Sequence, residues 1–185
     1  MAEVRREVFQ VLLDHDVRFY AVVRDKQIIA QKVLDHNKRK PKYRYHPNHL
    51  YDRCVPILFE TRLHLSEAYR IVFAKRGASD RTLAFQRGLL EAKRKLQTKR
   101  GIDSAAPIEV VASSPKETAC LQAVDYFLWG LQRWFERGEA RFINLVWDKV
   151  GLIIDRDDTR RRASGEYYSR ERPFGRDLRD DPPPA

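Results

Sequence analysis

Residues 69–101, YRIVFAKRGASDRTLAFQRGLLEAKRKLQTKRG, decide the fold class, because a strand, a turn and a helix follow one another there. The β-branched and aromatic run Tyr69–Ala74 predicts a strand. Apolar residues then recur at helical spacing over residues 80–99. Gly101 follows, as glycine commonly does just after a helix. This stretch therefore predicts a strand–helix unit of an α/β protein.

The same alternation extends to both sides of this unit. Helices are predicted over residues 3–14, 50–65, 80–99 and 116–137, and strands over residues 17–23, 69–74 and 108–112. Such an order favours an α/β fold with a small, mostly parallel sheet that is flanked by helices. Three strands make a thin parallel sheet, so we expect strands to be missing before Met1. Three further apolar runs are too short to be assigned as helix or strand from the sequence; they are residues 28–34, 142–147 and 150–154.

Composition narrows the class of protein further. The chain has 185 residues, of which 43% are hydrophobic and 34% are charged, and no apolar run approaches the length of a membrane span. We therefore predict no membrane association and no secretory signal. Residues 1–155 are expected to form one domain. Residues 156–185 are expected to form a polar, mostly disordered tail, in which Tyr167, Tyr168 and Phe174 are the candidates for docking.

The chain is strongly basic. It has 36 Lys and Arg against 26 Asp and Glu, a net charge of +10. Residues 156–185 hold 8 Arg and 7 acids, so most of the excess lies in residues 1–155. A positive field of this size attracts phosphate polymers, and nucleic acid is the partner that it suggests.

Two cysteines bear on the compartment. Cys54 and Cys120 are far apart in sequence and form neither a disulfide framework nor a zinc pattern. Cys120 lies in an apolar helical pattern, where it is expected to be a small core residue. A reducing, cytoplasmic setting is the simplest inference.

The stretch 36–49, HNKRKPKYRYHPNH, predicts a basic, aromatic loop that prolines interrupt. Tyr43, Tyr45 and His46 alternate with bases there, which suits stacking on unpaired bases. The predicted nucleic-acid contacts are Lys38, Arg39, Lys40, Lys42, Tyr43, Arg44 and Arg76. Further bases follow on the helix 80–99, at Arg87, Lys93, Arg94, Lys95, Lys99 and Arg100. The alternative is a solvated loop and helix face.

Asp125 stands out among the acids. It lies in the apolar stretch 113–129, SSPKETACLQAVDYFLW, near Thr118 and Gln122 on the helical wheel. A carboxylate that is buried in such a place must be paired, hydrogen-bonded or metal-bound. Gln122 could orient it by a hydrogen bond. The alternative is a half-exposed aspartate that pairs with an arginine.

Three motifs carry a resemblance to a known family. The pattern Leu-Gln-Ala-x-Asp-Tyr-x-x-Trp over residues 121–129, after a strand and Ser-Ser, resembles the end of the family called domain of unknown function 3800. The Arg-Gly-x-x-Asp turn at residues 76–80 and the strand end Asp25-Lys26 also resemble that family. The resemblance covers residues 3–137 and implies a ribonuclease-H-like fold. The family's opening Asp-Glu-Ser-Gly strand is not found in this sequence, which agrees with an N-terminally incomplete sheet.

The resemblance also implies a chemistry. It makes Asp125 a catalytic, metal-binding residue and Asp80 a candidate for the second catalytic acid, although Asp80 also stands where a helix N-cap belongs. Two-metal cleavage of a phosphodiester needs several convergent carboxylates around Mg²⁺ or Mn²⁺. The run Asp155, Asp157 and Asp158 is a reserve of acids. Lys26 would face the site or be solvated.

These observations lead to two expected functions. The first is a metal-dependent nuclease, or a nuclease-like protein acting on nucleic acid that is inactive as this chain alone. The alternative is a non-catalytic module of the same fold that binds nucleic acid or a partner. An open sheet edge would also favour a homo-oligomer or a partner chain that covers it.

Overall fold

The predicted alternation of helices and strands is found in part, because within the described residues one helix directly follows another at two places and the last two strands are consecutive. The computed structural model describes residues 2–40, 46–75 and 81–174. Within these ranges the helices are α1 (Ala2–Asp14), α2 (Lys26–Arg39), α3 (Pro47–Phe59), α4 (Thr82–Arg100), α5 (Ala119–Arg137) and α6 (Arg141–Leu145). The strands are β1 (Phe19–Val23), β2 (Tyr69–Ala74), β3 (Ile108–Ser113), β4 (Val150–Asp155) and β5 (Glu166–Tyr168). The predicted α/β class is confirmed.

The chain forms two compact units instead of the single domain that was predicted over residues 1–155. The discontinuous unit consists of Met1–Asp35 and Gln122–Ala185, and the inserted unit consists of His36–Leu121. The reason is strand pairing between distant segments. β4 pairs with β1 and so joins the two ends of the chain, while the residues between them pack on themselves.

The inserted unit is built on a parallel pair of strands. β2 runs beside β3 in register from Tyr69 opposite Ile108 to Ala74 opposite Ser113. The predicted stripe of α4 is buried as expected, at Phe85, Leu89, Ala92 and Leu96. The ring of Phe85 stacks on that of Phe73 with centroids 5.0 Å apart. The predicted end of α4 is also confirmed, because the N–H of Gly101 caps the helix by donating to the Gln97 carbonyl.

The discontinuous unit contains a mixed, three-stranded sheet in the order β1, β4, β5. β1 and β4 are parallel, and β4 and β5 are antiparallel. The described strands therefore form two small sheets, not the single sheet that was expected. Phe19 of β1 stacks on Phe127 of α5 with centroids 4.6 Å apart. Nine of the core residues are Phe9, Leu12, Phe19, Phe127, Leu131, Ile143, Val146, Val150 and Ile153.

The prediction that Cys120 is a core residue is wrong. Cys120 is exposed and Val124 is 44% exposed, whereas Phe127 and Leu131 of the same predicted stripe are buried. α5 begins only at Ala119. Its first buried residue is Leu121, so Cys120 lies on another side of the first turn. Cys54 is partly buried, and both thiols are free.

Helices extend into both ends of the predicted loop 36–49. α2 continues to Arg39, where the bases of its last turn face the negative end of the helix dipole. α3 begins at Pro47, and the side chain of His46 accepts the N–H of Asn48 as an N-cap. Residues 41–45 lie outside the described residues.

The segment after Asp155, predicted to be mostly disordered, is ordered through Phe174. β5 pairs with β4 through Ile153 opposite Tyr168. The ring of Phe174 contacts Trp134, Trp147 and Tyr168 at centroid distances of 5.1, 4.8 and 4.5 Å. Tyr168 and Phe174 thus dock as two of the three candidates predicted to do so. Residues 175–185 lie outside the described residues.

In the part of the chain that the structure describes, no helix has both the length and the apolarity to cross a membrane.

Candidate functional site

Asp125 lies on α5 with its side chain exposed. Among the described residues its carboxylate forms no hydrogen bond and no ion pair, so the alternative pairing with an arginine is not seen there. Asp125 also does not line the cleft described below. The second predicted acid, Asp80, lies outside the described residues.

The predicted nucleic-acid contacts are only partly described. Lys38 and Arg39 lie in the last turn of α2, Lys40 follows the helix, and all three are exposed. Arg39 and Lys40 form no ion pair within the described ranges. The other predicted contacts, Lys42, Tyr43, Arg44 and Arg76, lie outside them.

A cleft of about 800 Å³ lies at the carboxyl ends of β1 and β4, inside the discontinuous unit. Such ends of neighbouring parallel strands are where ligands commonly bind in α/β proteins. One side is apolar and includes Val22, Leu128 and Phe135. The acids that line the cleft are Asp25, Glu136, Asp155, Asp157 and Asp158. The strand end Asp25-Lys26 and the reserve acids of β4 are therefore brought together.

Asp157 has only 2% of its side chain exposed. Arg24 donates to it twice, from Nε to Oδ2 at 2.8 Å and from a terminal nitrogen to Oδ1 at 3.2 Å. The backbone N–H of Asp25 donates to Oδ2 at 2.8 Å, and the ammonium of Lys32 lies 3.5 Å from Oδ1. Burial opposes ionisation, but these hydrogen bonds and charges outweigh it and hold the pKa of Asp157 below its ordinary value.

The pKa of Asp155 is shifted in the opposite direction to that of Asp157. Burial raises the pKa of Asp155, although the backbone N–H groups of Asp157 and Asp158 both donate to its Oδ1 and oppose the rise. The negative charges of Asp158 and Asp157 add to it. Asp155 thus has a raised pKa in the cleft, a property often found in catalytic acids and bases.

The remaining two aspartates serve local structure. Oδ1 of Asp25 accepts the N–H groups of Gln27 and Ile28 at 2.7 and 3.2 Å, so Asp25 caps α2. Asp158 forms an ion pair with Arg160 at 2.9 Å. Lys26 follows the cap, is exposed and lines the cleft.

A divalent-metal centre does not fit the side chains described. Residues 2–40, 46–75 and 81–174 contain no group of three His, Cys, Asp or Glu residues that could hold a metal ion. Asp157 is neutralised by Arg24 and Lys32, and Asp158 by Arg160. His46 and His49 have ring centroids 5.6 Å apart, but Nδ1 of His46 is engaged in the cap of α3.

The net charge is divided unequally between the two units. The inserted unit holds 18 Lys and Arg against 8 Asp and Glu, whereas the discontinuous unit holds 18 of each. The whole charge of +10 therefore belongs to His36–Leu121. A division of the chain at residue 155, as predicted, does not separate the basic unit from the neutral one, because the discontinuous unit continues across that residue.

The six bases predicted on α4 behave in two ways. Lys93 donates to the Ala106 carbonyl, Lys95 pairs with Glu91, and Lys99 pairs with Glu60. The other three are exposed, and their side chains form no ion pair or hydrogen bond with a described residue; they are Arg87, Arg94 and Arg100.

Comparisons of the chain with protein-family models, with curated proteins and with solved structures found no match.

Proposed function

We propose that this protein binds nucleic acid through its inserted unit. The observation that carries the proposal is the division of charge, because a unit of 86 residues carries all ten of the excess positive charges. Phosphate contacts from lysine and arginine supply most of the affinity in sequence-independent binding. Arg39, Lys40, Arg87, Arg94 and Arg100 are exposed cations that this unit offers.

The resemblance supports a nuclease-like protein in particular. The ribonuclease-H-like fold, and kinship with domain of unknown function 3800, stay part of the proposal and rest on the order of the three motifs. The described side chains do not by themselves support the metal-dependent cleavage that the resemblance implies, because their carboxylates do not converge on a metal centre.

Binding is tested by fluorescence anisotropy with labelled single-stranded RNA, single-stranded DNA and duplex DNA over a series of salt concentrations. The expected result is an affinity that falls as salt rises, with a slope of about 0.9 per phosphate contact on duplex DNA. The triple variant Arg39→Ala/Lys40→Ala/Arg100→Ala should lower that slope by about two to three.

The control removes three exposed cations from the electrically neutral unit, in Lys26→Ala/Arg137→Ala/Arg162→Ala. This control changes the net charge of the whole chain by the same amount as the first triple variant. The two variants therefore differ only in the unit from which the positive charges are removed. Binding that does not depend on salt, or that falls equally in both triple variants, contradicts the proposal.

A second candidate function is phosphodiester hydrolysis in the cleft. It is favoured by Asp155, which lines the cleft and whose pKa is raised by burial, as is common for catalytic acids and bases. The resemblance assigns a catalytic role to Asp125 as well. Asp155→Asn and Asp125→Asn are therefore compared in cleavage assays with Mg²⁺, with Mn²⁺ and with a chelator, and the exposed Asp148→Asn is the control. We expect Asp155→Asn to lower the rate by about 100-fold, and cleavage that this variant retains refutes the candidate. Asp125 does not line the cleft, so a loss of rate in Asp125→Asn would support the role that the resemblance implies and not hydrolysis in the cleft.

The cellular setting and the oligomeric state belong to the proposal too. Both thiols are free, which suits a reducing cytoplasm. A second copy or a partner chain would cover a sheet edge. Among the described strands, β1 pairs with β4 alone, so no described strand covers its other edge. Sedimentation at several protein concentrations tests the self-association.

A further inference from the structure

The exposed face of α4 carries a stripe of two leucines and two arginines. The α4 stripe consists of Leu83, Arg87, Leu90 and Arg94. Their spacing of four, three and four residues places them on one line along the helix. Leu83 is 69% exposed and Leu90 is 67% exposed. The stripe is about 16 Å long.

The α4 stripe lies opposite the face that holds the helix in place. The buried residues of α4 are Phe85, Gly88, Leu89, Ala92 and Leu96. At 100° per residue, these positions lie on the other side of the helix from the stripe. Folding of the inserted unit therefore does not require leucine at residues 83 and 90, where a polar side chain would be less costly to expose.

The arginines of the stripe lack counter-ions within the described ranges. Arg87 and Arg94 are exposed and form no ion pair there. The acid between them in sequence, Glu91, is bound to Lys95 at 2.7 Å. The surrounding unit has a net charge of +10, which strengthens the attraction for an acidic partner.

We propose that the α4 stripe docks an acidic amphipathic helix of a partner protein. Alternation of three and four residues is the spacing by which two helices pack along a common seam. Apolar side chains of the partner would cover Leu83 and Leu90, and its carboxylates would pair with Arg87 and Arg94. This proposal goes beyond nucleic-acid binding and does not depend on it.

Other occupants fit the stripe less well. A second copy would bring its own arginines against Arg87 and Arg94, and like charges at an interface are unfavourable. A nucleic acid could pair its phosphates with the arginines, but the stripe has no aromatic side chain on which a base could stack. An acidic partner with apolar residues at the same spacing satisfies both leucines and both arginines.

The test uses the full chain and a labelled synthetic helix of about 20 residues. This probe has leucine at every seventh position and glutamate four residues after each leucine. Binding is measured by anisotropy at about 50 mM salt, together with a probe whose glutamates are lysines and one whose leucines are serines. The protein variants are Leu83→Ser/Leu90→Ser and Arg87→Ala/Arg94→Ala. The control is Arg100→Ala, an exposed arginine of the same helix that lies off the stripe.

The acidic amphipathic probe should bind, and each double variant should weaken it by at least about tenfold. Arg100→Ala should stay within about twofold of the wild type. Equal binding of the serine probe, or full binding by Leu83→Ser/Leu90→Ser, means general electrostatic attraction and overturns the proposal. A wild type that does not bind the acidic probe also overturns it, as does sedimentation that shows the stripe to be a self-association surface. If the wild type binds the acidic probe but does not bind nucleic acid, the proposed function is contradicted and the docking proposal is not.

Discussion

Arg24, just after β1, holds Asp157, just after β4, by two hydrogen bonds of 2.8 and 3.2 Å. The two residues are 133 positions apart in the sequence. Their side chains are 19% and 2% exposed, so the ion pair is largely shielded from water. The pair ties the two parallel strands together at the end where the cleft opens.

Removing the carboxylate should therefore be costly. In Asp157→Asn, Arg24 loses the carboxylate that it binds by two hydrogen bonds, and we expect a loss of about 3 kcal/mol in the free energy of unfolding at neutral pH. Urea denaturation measures this loss. The control Asp148→Asn breaks a surface pair with Arg170 at 3.6 Å, in which the Asp148 side chain is 77% exposed. It should cost no more than about 0.5 kcal/mol, and equal losses in the two variants would contradict this account.

The stability that Asp157 contributes should depend on pH in a definite direction. Its pKa is lower in the folded protein than its ordinary value of 3.8. A lowered pKa contributes stability above the unfolded value, and this contribution is lost as the pH falls through the folded value. The difference between wild type and Asp157→Asn should thus be constant from about pH 7 to 5 and shrink below about pH 4. Urea denaturation of both proteins at each pH measures this difference in the free energy of unfolding. A difference that grows in acid would contradict the prediction.

Gly165 should not tolerate a side chain. Its φ of +99° is rarely adopted by other residues, and a Cβ there would lie 2.3 Å from the carbonyl oxygen of Asp155. We expect Gly165→Ala to cost about 3 kcal/mol, measured by urea denaturation. Gly101 also has a positive φ, of 66°, but nothing lies within 4 Å of its Cβ position. Gly101→Ala should cost about 1 kcal/mol, which isolates the backbone strain from the clash.

Gly151 and Tyr20 should be energetically coupled. The ring of Tyr20, on β1, covers Gly151 of β4, so that a Cβ would lie 2.3 Å from a ring carbon. Because Tyr20 is 36% exposed, we expect its ring to shift toward solvent when residue 151 carries a Cβ. Gly151→Ala should cost about 1 kcal/mol in the wild type and clearly less in a Tyr20→Ala background. A double-mutant cycle with no coupling energy would show that the ring does not occupy this position.

Phe174 should anchor the C-terminal segment. Its ring contacts Trp134, Trp147 and Tyr168, so Phe174→Ala is expected to cost about 2 kcal/mol and to shift tryptophan fluorescence to the red. Phe174→Leu, which keeps an apolar side chain of similar reach, should lose about half as much. Unchanged fluorescence in Phe174→Ala would mean that the segment does not dock on these rings.

Local patterns predicted the elements well where one physical signal dominated. The period of α4 and the glycine that ends it were both apparent from residues 80–101, because a helix with one buried face repeats every 3.6 residues. Local patterns failed at Cys120, because the residue at which α5 begins decides which of its residues face inward. Local patterns also failed after Asp155, where the aromatic contacts of Phe174 outweigh a polar composition.

The acids of the cleft show a different limit of prediction from local sequence patterns. Asp155, Asp157 and Asp158 follow a short apolar run, and the sequence pattern made them only a reserve. An apolar run of five residues fits a strand or a buried helix equally well. Only the parallel pairing of Val23 with Asp155 brings them beside Asp25 and Arg24. Whether Asp125 and Asp80 act in catalysis stays a prediction.

The amino-acid sequence by itself determined the α/β class, the periodicity of the helices and the sign and size of the net charge, because these depend on neighbouring residues and on composition. The tertiary structure alone decided that the ends of the chain form one electrically neutral unit and the middle forms a basic one. It also decided that Arg24 meets Asp157. The physical reason is that pairing between β1 and β4 is a contact between distant segments, and no local pattern specifies which strand a given strand will join.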